Sequence, residues 1–371
     1  MAQGGGVSRE GGSPHREVSA TVPPPASCVP PGDRVRRMTR VNLVAFENGV
    51  GNSRDIALLA AALRAQGCSV TVTVPSKHAR RRRRLRLVRA LGDLRRRLAA
   101  RQFARGRVPA FDVTVMLEHV WPEELHRARR NVIVPNPEFF DRHDQSLLDA
   151  FDAVWAKTRN TFALFSQMGR RCSLIGFDSV DRDDPGVTRR ATFLHLAGRS
   201  RMKGTAPLLE LWARHPEWPL LTVVQSLPRP GLARIPNVRI ETRFLSDDEL
   251  RRLQNENQFH LCTSETEGWG HYIAEAASTG AVAITTDAPP MNELITAARG
   301  LLVRAAPRGR QHLATTFAFD PLDLERVVAV VSGMGPEERT RLSRAAREWF
   351  AANKAGFGAR LAAALAELSA I

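Results

Sequence analysis

"FHLCTSETEGWGHYIAEAASTGAVAITTD", residues 259–287, holds two short apolar runs, Phe259–Thr263 and Ala281–Thr286, each bounded by turn formers. Runs of that length read as buried strands. Between them lie a polar loop, Ser264–Gly270, and an alanine-rich helix opening near His271. Strand, loop, helix and strand in that order form the repeating unit of a parallel sheet. The unit carries two carboxylates, Glu267 and Glu275, on either side of the point where loop becomes helix.

The same unit recurs in both directions along the chain. Toward the N-terminus, VNLVAF (41–46) reads as a strand, ENGVGNS (47–53) as a glycine loop, RDIALLAAALRAQG (54–67) as a helix and SVTVTV (69–74) as the next strand. FDVTVML, NVIVP, DAVWAKT and CSLIGF follow as further buried strands. DRDDPGVTRR, with its charge, proline and glycine, interrupts the pattern as an interdomain linker does. A second series then runs through ATFLHLA, LLTVVQ, NVRIET, FHLCT, AVAITT and GLLVRA, with helices such as APLLELWARH and SDDELRRLQNE between them. The reading is α/β: two doubly wound, Rossmann-like halves over 39–180 and 191–345, a linker over 181–190 and C-terminal helices over 346–371. A length of 371 residues supports two such cores.

Composition bounds the class. Apolar residues make up 43% and charged residues 25%, enough for a packed enzyme-sized body, and no apolar run reaches the length needed to span a bilayer. Residues 1–38, rich in Gly, Pro and Ser, read as a disordered leader without a secretory apolar segment, with Met38 as a second plausible start. The four cysteines, Cys28, Cys68, Cys172 and Cys262, stand singly, which suits a reducing cytoplasm and implies no metal site. Net charge is +16, but residues 77–107 hold thirteen arginines and Lys77 against Asp93, so +13 is local and +3 is left for the rest.

In open parallel sheets, the residues just after each strand face a common crevice, and the helices that follow aim free N–H groups into it. Those positions here hold Gly49 and Gly51, Glu118 and His119, the run NPE, Arg199 and Lys203, the run SETEGWG, and DAPPMNE. Singly, each has a plain structural reading: a turn, a solvated face, a helix cap. Together they line one edge. The amides of Gly268, Trp269, Gly270 and His271 at a helix start suit an anion or sugar hydroxyls. Glu275 would turn a carboxylate to the same crevice, where carboxylates accept paired hydrogen bonds from ribose hydroxyls, and Glu267 would reach a second polyol ring. Arg199 and Lys203 would neutralise a diphosphate between the two sugars. That describes a nucleotide-sugar.

These stretches resemble a known family. ETEGWGHYIAEAASTGAVAITTD resembles the E-x7-E signature of retaining GT-B glycosyltransferases of the family 4 type, and FLHLAGRSRMKGTAPLLELW is similar to that family's phosphate-binding segment. NGVGNSRDIALLAAALRAQGCSVTV resembles its glycine loop and first helix, and the resemblance covers roughly residues 40 to 365, more securely in the second half. It implies a GT-B fold with two Rossmann-like domains facing across a cleft. It further implies that Arg199 and Lys203 hold the donor diphosphate, Glu275 the ribose, and Glu267 with the following amides the transferred sugar. Gly51 would lie under the phosphates, His119 would act in catalysis, and the final helices would pack back onto the first domain. Transfer would retain configuration without a metal or other cofactor, to a glycan or lipid-linked acceptor. Three features depart from the family pattern. Arg199 and Lys203 are only four residues apart; the histidine expected after an N-terminal-domain strand is matched by His119 rather than by NPE; and His271 and Tyr272 replace an aliphatic residue and a small residue or proline.

Within 77–107, Leu87, Leu91, Leu94 and Leu98 form one helical stripe among arginines. An anionic membrane surface and a merely solvated helix are equal readings of it. Nucleic acid ranks behind both, because Phe103 is the sole interleaved aromatic. The chain would then be cytoplasmic, or peripheral at the inner face of the membrane. Rival functions are a nucleotide-sugar epimerase or phosphorylase on the same fold, and a non-enzymatic nucleic-acid-binding protein built around the arginine tract.

Overall fold

A computed structural model describes residues 38–47, 49, 51–75, 109–226 and 235–370. The expected leader and the arginine-rich insertion at 77–107 lie outside these residues, apart from Met38. Alternation of apolar and short polar segments resolves into two parallel sheets. The first orders its strands β2-β1-β3-β4-β5-β6, with β1 at Arg40–Val44, β2 at Ser69–Thr73, β3 at Phe111–Glu118, β4 at Ala128–Pro135, β5 at Ala153–Ala156 and β6 at Cys172–Leu174. All of its pairings are parallel, and Val41, Leu43, Val115, Val132 and Trp155 are fully buried, as strands covered on both faces must be.

The second sheet orders β13-β12-β11-β10-β7-β8-β9. Its strands are β7 (Arg190–Gly198), β8 (Leu221–Gln225), β9 (Val238–Glu241), β10 (Asn257–Cys262), β11 (Val282–Asp287), β12 (Gly300–Gln311) and β13 (Ala314–Phe319). Phe259 pairs with Val282 and Phe193, so the quoted stretch supplies two central strands and the helix between them. The last pair, β12 with β13, is antiparallel. Neither β13 nor the second half of β12 was legible. APRGRQHLATTFAF reads as a polar loop because an edge strand need not alternate, and Pro307 stands where the register slips.

Helices follow the strands. They are α1 (Gly51–Ala65), α2 (Arg142–Gln145), α3 (Arg159–Gln167), α4 (Thr205–Arg214), α5 (Asp247–Glu256), α6 (His271–Ser278), α7 (Met291–Leu294), α8 (Pro321–Ser332) and α9 (Pro336–Ser369). Local chemistry starts several of them. Ser246 and Glu249 form a reciprocal capping box on α5, and Asp320 caps α8 ahead of Pro321. Thr158 caps α3, and Glu293, from the other lobe, accepts the amides of Arg159 and Asn160 at 2.7 and 2.8 Å. A carboxylate at a helix start is favoured by the dipole.

The C-terminal segment is one 34-residue helix, so the boundary expected near 346 falls inside α9. Its buried face, Leu342, Ala346, Phe350, Phe357, Leu361, Ala364 and Leu368, recurs at steps of three, four and seven, which is one helical stripe. Near its start, Ser343 donates to the Gly280 carbonyl at 2.5 Å in the second lobe; further along, Asn353 and Arg360 donate to the carbonyls of Phe177 and Ile175, each at 2.8 Å. Ser173 on β6 reaches Glu367 at 2.6 Å. One apolar cluster therefore runs from the first sheet through α9 to α6 and β11. The expected linker is likewise packed: Arg182, 2% exposed, bonds Gln254 and Asp247 of the second lobe.

Phe357 is buried, its ring 5.4 Å from that of Phe177. Phe357→Ala removes this join between α9 and the residues after β6. We expect a cost of about 3–5 kcal/mol, seen as a lowered urea midpoint, with unfolding of the two lobes beginning to separate in a fluorescence trace.

Candidate active site

Two loops of the second lobe are laced side by side. The Glu265 amide donates to the Met202 carbonyl at 2.9 Å, and the Thr263 hydroxyl donates to the Lys203 carbonyl at 3.0 Å. The loop after β7 is thus held against the loop after β10, and the Lys203 ammonium pairs with Glu267. The Lys203 Nζ also lies 4.0 Å from the centroid of the Tyr272 ring, a cation–π position. Ser264 donates to Glu267 and shares a 2.5 Å bond with the Tyr272 hydroxyl. Burial, with Cys262 and Glu267 nearby, pushes the Tyr272 phenol well above its usual range, so it remains neutral. Gly270 opens α6 with φ +92°, a left-handed conformation that side chains resist.

The first lobe brings charges to the same place. Arg54 on α1 contacts Glu275 on α6 at 2.5 Å, and Gln254 donates to the other Glu275 oxygen at 2.9 Å. Asp55, the next residue of α1, pairs with Lys157 after β5 and with His271 Nε2 at 2.6 Å. Burial raises the Asp55 carboxyl, but Lys157 and His271 outweigh that and hold it below its ordinary value. The other His271 nitrogen lies 2.9 Å from the Ser179 hydroxyl, which also accepts the Trp269 indole N–H at 3.0 Å. Asn136, after β4, contacts Lys157 at 3.1 Å and lies where a side chain on Gly268 would have to go. Two residues on, Glu138 is 4% exposed, and burial pushes its carboxyl up to about 8.

These groups surround a cleft of about 450 Å³ between the two sheets. Of the residues singled out in the sequence, Gly51, Lys203, Glu267, Gly268, Trp269, Gly270, His271 and Glu275 all line it. Arg199 does not: it is exposed at the rim, one residue after the lining residue Gly198. Nor does His119, whose Nδ1 lies 2.9 Å from the fully buried Asp144 and whose Nε2 lies 3.7 Å from Glu118. Its neighbour Glu118, at φ +66°, lines the cleft instead. Arg54, Asp55 and Lys157 were missed as site residues, and Asn136 and Glu138 were noted only as part of the run NPE, without a role. Asn136, Glu138 and Lys157 sit just after the ends of β4 and β5, the position used to choose the others, whereas Arg54 and Asp55 lie inside α1. Among the described residues, no three His, Cys, Asp or Glu side chains gather as a metal site would require.

No protein-family model and no curated protein matches the chain. Solved structures do. A sucrose-phosphate synthase from Thermosynechococcus elongatus is similar at 14% identity, with 90% of this chain and 99% of that one covered and a TM-score of 0.61. A glycosyltransferase from Rickettsia africae gives the same identity, coverage and score. An alpha,alpha-trehalose-phosphate synthase (UDP-forming) from Burkholderia vietnamiensis is 12% identical over 90% of this chain and all of that one, with a TM-score of 0.59. The likeness shows the fold: two parallel α/β lobes in the GT-B arrangement that the E-x7-E stretch implied.

Asp55→Asn leaves Lys157, 2% exposed, without its counter-charge. Removing one partner of a buried pair costs about 3–5 kcal/mol. A lowered carboxyl contributes stability above its unfolded value of 3.8 and loses it as pH falls through the folded value. The deficit of Asp55→Asn in urea should therefore be full at pH 7 and shrink below about pH 4.

Proposed function

We propose that the chain is a glycosyltransferase that moves a sugar from a nucleotide-activated donor to a hydroxyl of an acceptor, with retention of configuration. The observation that carries this reading is the convergence of Lys203, Glu267, the start of α6 and Glu275 on one cleft between two parallel lobes. In it, Lys203 meets the donor diphosphate, with Arg199 as a second cation at the rim. Glu275 accepts the ribose hydroxyls, and Glu267 with the amides of Gly268 to His271 holds the transferred sugar. Gly51, at the start of α1, faces the phosphates from the opposite lobe. His119, its Nε2 3.7 Å from Glu118 at the cleft wall, is the histidine we assign to catalysis from the first lobe.

The similar solved structures include a synthase described as UDP-forming, which supports a nucleoside diphosphate as the leaving group. The acceptor we favour is a growing glycan or a lipid-linked sugar, in cell-surface polysaccharide or glycoconjugate synthesis. The thirteen arginines of 77–107 would bring the enzyme to an anionic membrane surface at the inner face. No helix among the described residues is long and apolar enough to cross a membrane.

Calorimetric titration with UDP, GDP, ADP, CDP and dTDP tests the reading. One of them is expected to bind, and Lys203→Ala or Glu275→Ala to weaken it about tenfold or more, since each removes a charge-assisted hydrogen bond. Binding of none to the full chain would sink the transferase. Nucleic-acid binding that survives Glu275→Ala and collapses with salt would favour the rival reading.

A further inference from the structure

The run Asn136-Pro137-Glu138 carries a group that the donor-binding reading leaves unused. Glu138 lines the cleft, is 4% exposed, and its Oε2 atom is buried with no hydrogen-bond partner among the described residues. A buried carboxyl oxygen left unpaired is costly and rare. Its loop is tightly placed: Asn136 fills the space above Gly268, and the Pro137 carbonyl accepts the Leu313 amide at 3.1 Å from the tip of the β12–β13 hairpin. Glu138 is therefore fixed opposite the Glu267–Gly270 loop. The cations nearby are already engaged, Lys203 by Glu267 and Lys157 by Asp55.

Resting on the glycosyltransferase reading, we propose that Glu138 binds the sugar ring of the donor by presenting its Oε2 as a hydrogen-bond donor to one ring hydroxyl. A carboxylate could only accept there; a carboxylic acid can donate. Burial, with Glu267 and Glu118 adding to it and Lys157 opposing, keeps the acid form up to about pH 8. The charged groups around it come from every neighbouring element: Glu118 with His119 at the end of β3, Lys157 with Asp55 after β5 and on α1, and Glu267 with Lys203 in the second lobe. The exposed His312 lies at the hairpin tip. Because the acid form cannot take a proton, Glu138 positions the sugar and is not the base that accepts the acceptor's proton.

The test is the affinity gained from the sugar. Calorimetry compares each nucleoside diphosphate with its nucleotide-sugar, using UDP with UDP-glucose, GDP with GDP-mannose, ADP with ADP-glucose and further sugars on the same nucleotides, from pH 6 to 9.5 without acceptor. The margin of the preferred nucleotide-sugar over its free diphosphate should fall by about five- to tenfold, the worth of one neutral hydrogen bond, as pH rises through about 8. Glu138→Gln, which keeps a donor, should retain the margin to within about threefold and hold it flat with pH; Glu138→Ala should lower it about five- to tenfold at pH 6, leaving what Glu267 and the amides at the start of α6 contribute. Diphosphate affinity should be equal in all three proteins, a result that a damaged fold would not give. A margin that stays flat with pH in the wild type, or is lost equally in Gln and Ala variants, overturns the assignment while leaving the transferase standing. Failure of every diphosphate to bind sinks both.

Discussion

The carboxylate of Asp55 is the constraint on which the site is built. It lies buried at the start of α1, with Lys157 of its own lobe on one side and His271 of the other lobe on the other. Charges removed from water are stable only when their partners stay within bonding distance. The pairing therefore fixes three elements at once: α1 over the first sheet, the segment after β5, and the first residue of α6. Through Ser179 the same chain of bonds reaches Trp269. The width of the cleft at its base follows from these contacts, and α9 repeats the constraint behind it by packing on both lobes.

The charges that would meet a donor are paired among themselves. Lys203 is held by Glu267, and Glu275 by Arg54 and Gln254. Exposed ion pairs contribute little, but Glu275 is 1% exposed, so its pairing with Arg54 acts at a lower effective dielectric. In the proposed donor complex, a diphosphate beside Lys203 would compete with Glu267 for the ammonium, and the carboxylate so released would accept from sugar hydroxyls, exchanging one existing pair for new ones.

The order of strands, the helix at His271 and the crowding of one sheet edge could be read from apolar periodicity, because buried parallel strands leave runs such as VNLVAF and AVAITT with no competing interpretation. Lys203 and Glu267 were found because each follows a strand closely, and Glu275 because it stands across the loop-to-helix junction from Glu267. Arg54 and Asp55 were passed over because, inside RDIALLAAALRAQG, they look like the solvent face of an amphipathic helix; only the approach of the second lobe buries Asp55. His119 differs from both. Its position after β3 suggested the cleft; Glu118, in a left-handed turn, lines it, while the His119 Nδ1 lies 2.9 Å from Asp144 of α2. Neither the turn nor the partner leaves a mark at that point of the sequence.

The hairpin β12–β13 closes the argument about Glu138. It belongs to the second sheet, yet the Leu313 amide bonds the carbonyl just before Glu138, and Phe317 bonds the carbonyl of Glu265 in the loop that carries Glu267. One edge element thus clamps the loops that present the two carboxyls from opposite lobes. Burial is the largest cause of the raised Glu138 carboxyl, with the Glu267 charge adding to it. The second of these depends on the lobes staying together, because distance would weaken the repulsion. The raised Glu138 carboxyl is therefore in part a property of the cleft and not of its own lobe alone, and a hydroxyl bound at Oε2 would lie between the loops that this hairpin clamps.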